Sequence, residues 1–289
     1  MFDPSSYDRP AFTVDMDLNT ISEIARPSRR DEIDAWAPGD AFLAGGTWLF
    51  SEPQPRLSRL IDLTGLAWPA VAATGPALRI SATCTLAQLD AFPLPRTWLA
   101  APLINQCCRS LYGSFKIWNV ATVGGNICMA LPAGPMISLT TALDGVCTIW
   151  TPNGAERHAA ATDIVVGPQQ NSLRPGEILH SIVLPEEALT RRTAFRQISL
   201  TPHGRSAALL IGTLSRDGAF GLTITASTRR PIKLSFPSMP PARGLYDQIE
   251  AELPSSIYYD DVHGAPAWRR QMTLRFADEI HRELSERCA

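Results

Sequence analysis

Two Gly-Gly pairs, each behind a short apolar run and beside a hydroxyl residue, limit what this chain can become. The first lies in Phe42-Leu43-Ala44-Gly45-Gly46-Thr47-Trp48-Leu49, the second in Ile117-Trp118-Asn119-Val120-Ala121-Thr122-Val123-Gly124-Gly125-Asn126-Ile127. A residue without Cβ reaches φ > 0 and lets a bulky group approach the main chain, so Gly124 and Gly125 are expected to turn consecutive N–H groups into one concavity. Such a nest binds anionic oxygen. Thr122 adds a hydroxyl, and Asn126 an amide that both donates and accepts. Two turns of this kind suffice for the two phosphates of one dinucleotide. A lone Gly-Gly pair is more often a plain hairpin turn or strand-to-helix corner, and it is the two together, each beside a hydroxyl residue, that point to a ligand. Neither run is a G-x-G-x-x-G or a G-x-x-x-x-G-K-[ST] pattern, so a dinucleotide here would be held by another architecture.

At 289 residues the chain can bury a substantial core, and two or three parts are expected. The net charge is -2 with acids and bases interspersed, which argues against a nucleic-acid or membrane-surface binder. No window approaches the roughly 18 apolar residues of a membrane span. The start, from Met1 to Pro10, has no basic region followed by an apolar one, so no secretory signal is read and a cytoplasmic protein is expected. Cys84, Cys107, Cys108, Cys128, Cys147 and Cys288 show no C-x-x-C spacing, and most sit in apolar surroundings as buried thiols would. Adjacent Cys107 and Cys108 would point about 100° apart on a helix, which discounts them as a redox pair. His158, His180, His203, His263 and His281 form no metal-ligand pattern, so no metal site is expected. No serine or cysteine has a nucleophile's context, and no catalytic residue is assigned. Any chemistry then falls to a bound organic cofactor, with the protein supplying position and electrostatics.

Periodicity predicts the elements. A strand is read at 11–14, then a short helix from the capping-box spacing of Thr20 and Glu23 with Leu18, Ile21 and Ile24 recurring every third residue, ending before Pro27. A strand at 41–44 leads into the first glycine turn. Strands at 60–63 and 78–82, a helix opened by Thr85 with Gln88, and an amphipathic helix over 97–111 form a second unit. This helix delivers the chain to the second glycine turn and makes Tyr112 a flat surface for a planar ligand. A helix over 136–143 and a strand over 146–150 follow, then the turn Pro152-Asn153-Gly154 and a returning strand near 156–158. A third region is placed from Gly176, with strands at 178–184, 193–200, 207–214 and 220–226, a hairpin at Arg216-Asp217-Gly218, and helices over 244–252 and 266–286. The run Tyr258-Tyr259-Asp260-Asp261-Val262-His263-Gly264 is read mainly as capping and docking of the last helix. Strands followed by helices make the third region an antiparallel sheet backed by helices, and the whole chain α+β.

With these residues in place the two glycine stretches resemble the flavin-binding motifs of the FAD-carrying medium subunit of molybdenum hydroxylases, the xanthine dehydrogenase and carbon monoxide dehydrogenase family. Pro175-Gly176-Glu177-Ile178-Leu179-His180-Ser181-Ile182 and Asp260-Asp261-Val262-His263-Gly264 extend the likeness over nearly the whole chain. The resemblance implies two FAD-binding α/β subdomains of the vanillyl-alcohol-oxidase (PCMH) type, at 1–56 and 57–174, and a C-terminal domain at 175–289. It also implies partners: a large subunit with a molybdopterin cofactor, and a small iron–sulfur subunit whose two [2Fe–2S] clusters feed electrons to FAD here and on to NAD⁺, oxygen or another acceptor, in a dimer of heterotrimers. By that resemblance Leu43, Ala44, Gly45, Gly46 and Thr47 wrap the pyrophosphate, with Trp48 beside them. Ala121, Thr122, Gly124, Gly125 and Asn126 line the opposite wall. Tyr112 lies against the isoalloxazine, Ile178 and Leu179 touch the flavin or adenine side, and Arg196 is the cation that stabilises reduced flavin. Three residues depart from the pattern: Trp48 replaces an acid or small polar residue, Trp118 an arginine, and Pro135 an aspartate that hydrogen-bonds the cofactor. Weaker or differently seated FAD is expected from them. Two other readings stay open, a structural subunit that has lost FAD and an independent flavin oxidase.

Overall fold

The computed structural model describes residues 18–33 and 35–286; the strand read at 11–14 and Cys288 lie outside them. The first unit is a three-stranded parallel sheet of β1 (Glu23–Ala25), β2 (Asp40–Leu43) and β3 (Arg59–Asp62), ordered β1-β3-β2. The predicted helix after Thr20 is therefore a strand. Residues Glu23 to Ala25 pair with Arg59 to Ile61, and the Thr20 hydroxyl donates to the Gln54 carbonyl instead of capping. A three-residue run can satisfy its backbone groups on a neighbouring strand, whereas a single helical turn leaves most of them open.

The second unit is an antiparallel five-stranded sheet with short helices on it. Its elements are β4 (Val71–Thr74), β5 (Ala77–Ser81), α1 (Leu86–Asp90), α2 (Ala101–Ser110), α3 (Phe115–Trp118), α4 (Val123–Cys128), α5 (Pro135–Ala142), β6 (Val146–Trp150), β7 (Glu156–Ala160), a small hairpin of β8 (Val165–Gly167) and β9 (Gln170–Asn171), and β10 (Ile178–Leu184). The strand order is β4-β5-β10-β6-β7. Thr85 and Gln88 do form the predicted capping box at the start of α1. The sequence places β10 first in the third region, yet it is the middle strand of this sheet, paired with β5 on one side and β6 on the other. Chain order places it late; sheet membership follows its apolar sequence, which suits a strand covered on both sides.

After α6 (Glu186–Leu189), the third unit is a meander of β11 (Arg192–Ile198), β12 (Ala208–Leu214), β13 (Phe220–Thr225) and β14 (Ile232–Phe236), backed by α7 (Ala242–Glu252) and α8 (Pro266–Glu286). β12 is buried throughout. Its alternate residues serve two cores: Leu209 and Ile211 join that of the second unit, Ala208 and Leu210 the one under α8. Gly212 lets α8 close in, since a Cβ there would lie 2.2 Å from Ile280 Cγ2. The expected docking role of the 258–264 run is visible in Arg269. This buried arginine donates to the carbonyls of Gly264, Ala207 and Ala226 and pairs with Asp261.

Candidate functional site

The two glycine turns meet. Gly45 lies so close to the second stretch that a Cβ on it would fall 1.7 Å from the Val120 carbonyl oxygen, and Gly46 holds φ at +67°. Between and beside the turns lie two adjoining lobes, each of about 440 Å³, within the size range of small-molecule sites. Phe42, Ala44, Gly125 and Cys128 line both lobes. The first lobe continues past Thr47, Trp48, Tyr112, Ala121, Thr122 and Asn126, and the second past Gly124, Ile178 and Leu179. Fourteen of the sequence-read positions, Leu43 to Trp48 and the rest, are thus brought to these two adjoining lobes.

The hydrogen-bonding roles of the two turns differ, and the second is not the expected nest. Val123 N–H donates to the Cys84 carbonyl, Gly124 N–H to that of Ala82, and Asn126 N–H to that of Thr122. The Gly125 N–H is taken by the Thr122 hydroxyl, which caps α4. Gly124 is there for close packing, since a Cβ would sit 2.4 Å from that of Ala82. Asn126 also serves structure: its Oδ1 accepts from Met136 N–H at 3.0 Å, which orients its NH₂ as the donor left for a ligand. In the first turn, by contrast, no acceptor among the described residues meets the N–H groups of Gly45, Gly46, Thr47 or Trp48. Consecutive open amides on a glycine turn, beside the Thr47 hydroxyl, are a donor set that fits a diphosphate.

Ion pairs hold the segments that feed this cleft. Asp40, at the start of β2, accepts from Arg59 Nε at 3.0 Å and Nη2 at 2.6 Å. Glu177, just before β10, accepts from Arg157 Nε at 2.8 Å and Nη2 at 2.5 Å, and from Arg174 N–H. The guanidinium partners hold both carboxyl groups below their ordinary range. Burial pushes the thiols of Cys84, Cys108 and Cys147 up to about 12, as expected of inert core cysteines. Among the described residues no three His, Cys, Asp or Glu side chains are grouped to hold a metal ion, and no helix is long and apolar enough to cross a membrane.

Arg196 corrects one expectation. It lies on β11 and pairs with Glu279 at 2.8 Å and Glu283 at 3.0 Å on α8, away from the residues that line the cleft. Trp118 is a strut, its Nε1 donating to the Leu111 carbonyl at 3.1 Å. Pro135 fills the first turn of α5, where its missing N–H costs nothing. Tyr112 lines the first lobe with one face stacked on His203, centroids 5.3 Å apart. Arg205 and Ser206 line it too and were missed; the polar run Thr201-Pro202-His203-Gly204-Arg205 between two strands was the available signal.

Residues 21–187 match the family model described as the FAD binding domain in molybdopterin dehydrogenase. The match ends just after β10, in line with that strand's place in the second sheet. The putative xanthine dehydrogenase FAD-binding subunit of Escherichia coli (strain K12) is 29% identical over 192 residues, 65% of this chain and 60% of that protein. The nicotinate dehydrogenase FAD-subunit of Eubacterium barkeri is 26% identical over 55% of each chain. The chain therefore spans less than two thirds of the length of these curated relatives. In overall fold it superposes on quinoline 2-oxidoreductase from Pseudomonas putida 86 with a TM-score of 0.74, at 19% identity, over 91% of this chain and 96% of that one. The Cu,Mo-CO dehydrogenase gives 0.74 at 20% identity, over 89% and 95%.

Proposed function

Because the chain belongs to the family of FAD-binding domains in molybdopterin dehydrogenases, we propose that it is the FAD-carrying electron-transfer subunit of a multi-subunit molybdenum hydroxylase. Electrons would arrive from the [2Fe–2S] clusters of a small partner subunit, originate at a molybdopterin centre in a large one, and leave to an external acceptor. When bound, FAD supplies the redox chemistry, and this chain supplies no reacting group of its own. Its residues bind and orient. The open amides of Gly45 to Trp48 and the Thr47 hydroxyl hold the diphosphate. Thr122, Gly124 and Gly125 keep the facing wall close, and Ile178 and Leu179 offer an apolar wall to a ring at the other lobe.

The observation that carries this reading is the first turn, where four consecutive peptide N–H groups have no acceptor among the described residues and their residues line the first lobe, in a chain of this family. The division of labour is read as FAD-binding parts at 1–56 and 57–174 extended through β10, with the C-terminal domain starting at β11. A cytoplasmic heterotrimer, paired as a dimer, is the assembly proposed.

A structural subunit with weak or lost FAD is the second reading, and Pro135 supports it, because no carboxylate stands at the start of α5. Purification of the full chain decides between them. The relay reading expects bound flavin in the visible spectrum, copurification with two further chains from the native host, and no substrate turnover by the isolated chain. A colourless protein that stays colourless with added FAD would support the structural reading, and turnover by the chain alone would support an oxidase.

A further inference from the structure

We propose that Arg205 is the counter-charge for the diphosphate, a positioning residue that nothing in the glycine motifs supplies; this rests on the FAD reading above. Arg205 lies on the loop between β11 and β12, and its guanidinium carbon sits 5.6 Å from the centroid of the Trp48 ring. Trp48 is part of the turn whose amides are open, so the cation is held beside that turn by the third unit of the fold. Among the described residues lining the first lobe, Arg205 is the one charged side chain. No carboxylate is paired with it among the described residues.

The loop that carries it is anchored at its base. Ser206 Oγ accepts from Gln197 Nε2 at 2.7 Å, the Ala207 carbonyl accepts from buried Arg269 at 2.7 Å, and Ala207 N–H donates to the Ile198 carbonyl at 2.8 Å. The tip is clasped twice, by His203 on Tyr112 and by Arg205 on Trp48. A diphosphate ester carries two negative charges at neutral pH. Peptide amides offer only partial positive charge, whereas a guanidinium offers a full one on a planar fork matched to phosphate oxygens. Arg174 lines the second lobe, where its backbone N–H donates to Glu177 and its charge lies within Coulombic range of that carboxylate, so Arg205 is the cation beside the open turn.

The full chain, stripped of flavin, is titrated with FAD, with ADP and with riboflavin, for the wild type, R205Q and R205K. ADP has the diphosphate without the flavin ring, and riboflavin the ring without phosphate. R205Q is expected to weaken ADP and FAD binding about tenfold or more, leave riboflavin affinity unchanged, and melt at the wild-type temperature, with R205K recovering part of the loss. ADP binding that is equally tight in R205Q and wild type, or a loss confined to riboflavin, overturns the assignment while the cofactor reading stands. A wild-type chain that binds no FAD overturns both.

Discussion

At the scale of single residues, Gly45 and Gly46 do different work, and substitution separates them. The Gly45→Ala methyl would collide with the Val120 carbonyl at 1.7 Å; both atoms are backbone-fixed, so the two turns must part. Overpacking of this kind costs roughly 1–3 kcal/mol or more, and G45A is expected to lose both thermal stability and most of its flavin. Gly46→Ala keeps the turns together but strains a φ of +67° against the Phe50 ring, costing about 1–2 kcal/mol for the backbone alone. Melting temperature and flavin-to-protein ratio check both, and a G45A protein with wild-type flavin content would show that the turns need not touch. Arg196→Gln is expected to leave the reduction potential of bound flavin unchanged, because its partners are Glu279 and Glu283; a shifted potential in a flavin titration would return it to the cofactor. The contrast with Arg205 marks what a sequence discloses about a site. Gly-Gly-Thr announces itself, since few backbones need it. A strand arginine gives no sign of which face or partner it takes, and a loop arginine is brought to the cleft only by folding.

At the scale of elements, the second glycine stretch is the N-terminus of α4, and Thr122 is its cap. Thr122→Val removes the hydroxyl that accepts the Gly125 N–H and is expected to lower stability by about 1 kcal/mol, as other cap deletions do, whereas Thr122→Ser should keep it. Chemical denaturation of the three proteins measures the difference, and a T122V chain as stable as T122S would mean that the cap contributes nothing. Elements defined by local signals were legible: the Thr85 and Gln88 capping box, the Gly154 and Gly218 turns, and the long apolar face of α2. Elements defined by neighbours were not. Leu18, Ile21 and Ile24 carry a helical spacing, yet Glu23–Ala25 is a strand because β3 lies alongside it. β14 is absent from the sequence reading although Ile232, Leu234 and Phe236 pack inward at alternate positions. β10 was visible as a strand, but only its pairing with β5 and β6 reveals which sheet it completes.

At the scale of the whole molecule, the second and third units share a core and are expected to unfold together. All eight residues of α5 are buried, its Ser138 hydroxyl meets that of Thr225 on β13 at 2.6 Å, and Lys233 of β14 reaches the carbonyls of Thr141 and Ala142 at its C-terminal end. With that frame rigid, the acid stability of the cleft is set by the two carboxylates at its entry strands. Arg59 and Arg157 hold Asp40 and Glu177 below the ordinary range. A carboxyl depressed on folding adds stability that is fully present above its unfolded value, about 4, and is lost as pH falls through the lower folded value. The wild type should therefore be flat in melting temperature near neutrality, then fall below about pH 5, releasing flavin as the strands at Asp40 and Glu177 loosen. Glu177→Gln removes the titrating group while keeping its shape. It is expected to melt lower at pH 7, because Arg157 loses its anion, and to fall less steeply in acid, so that the two curves converge. Melting curves from pH 7 down to about 3 test this, and an E177Q curve that runs parallel to the wild type throughout would show that Glu177 has no part in the acid response.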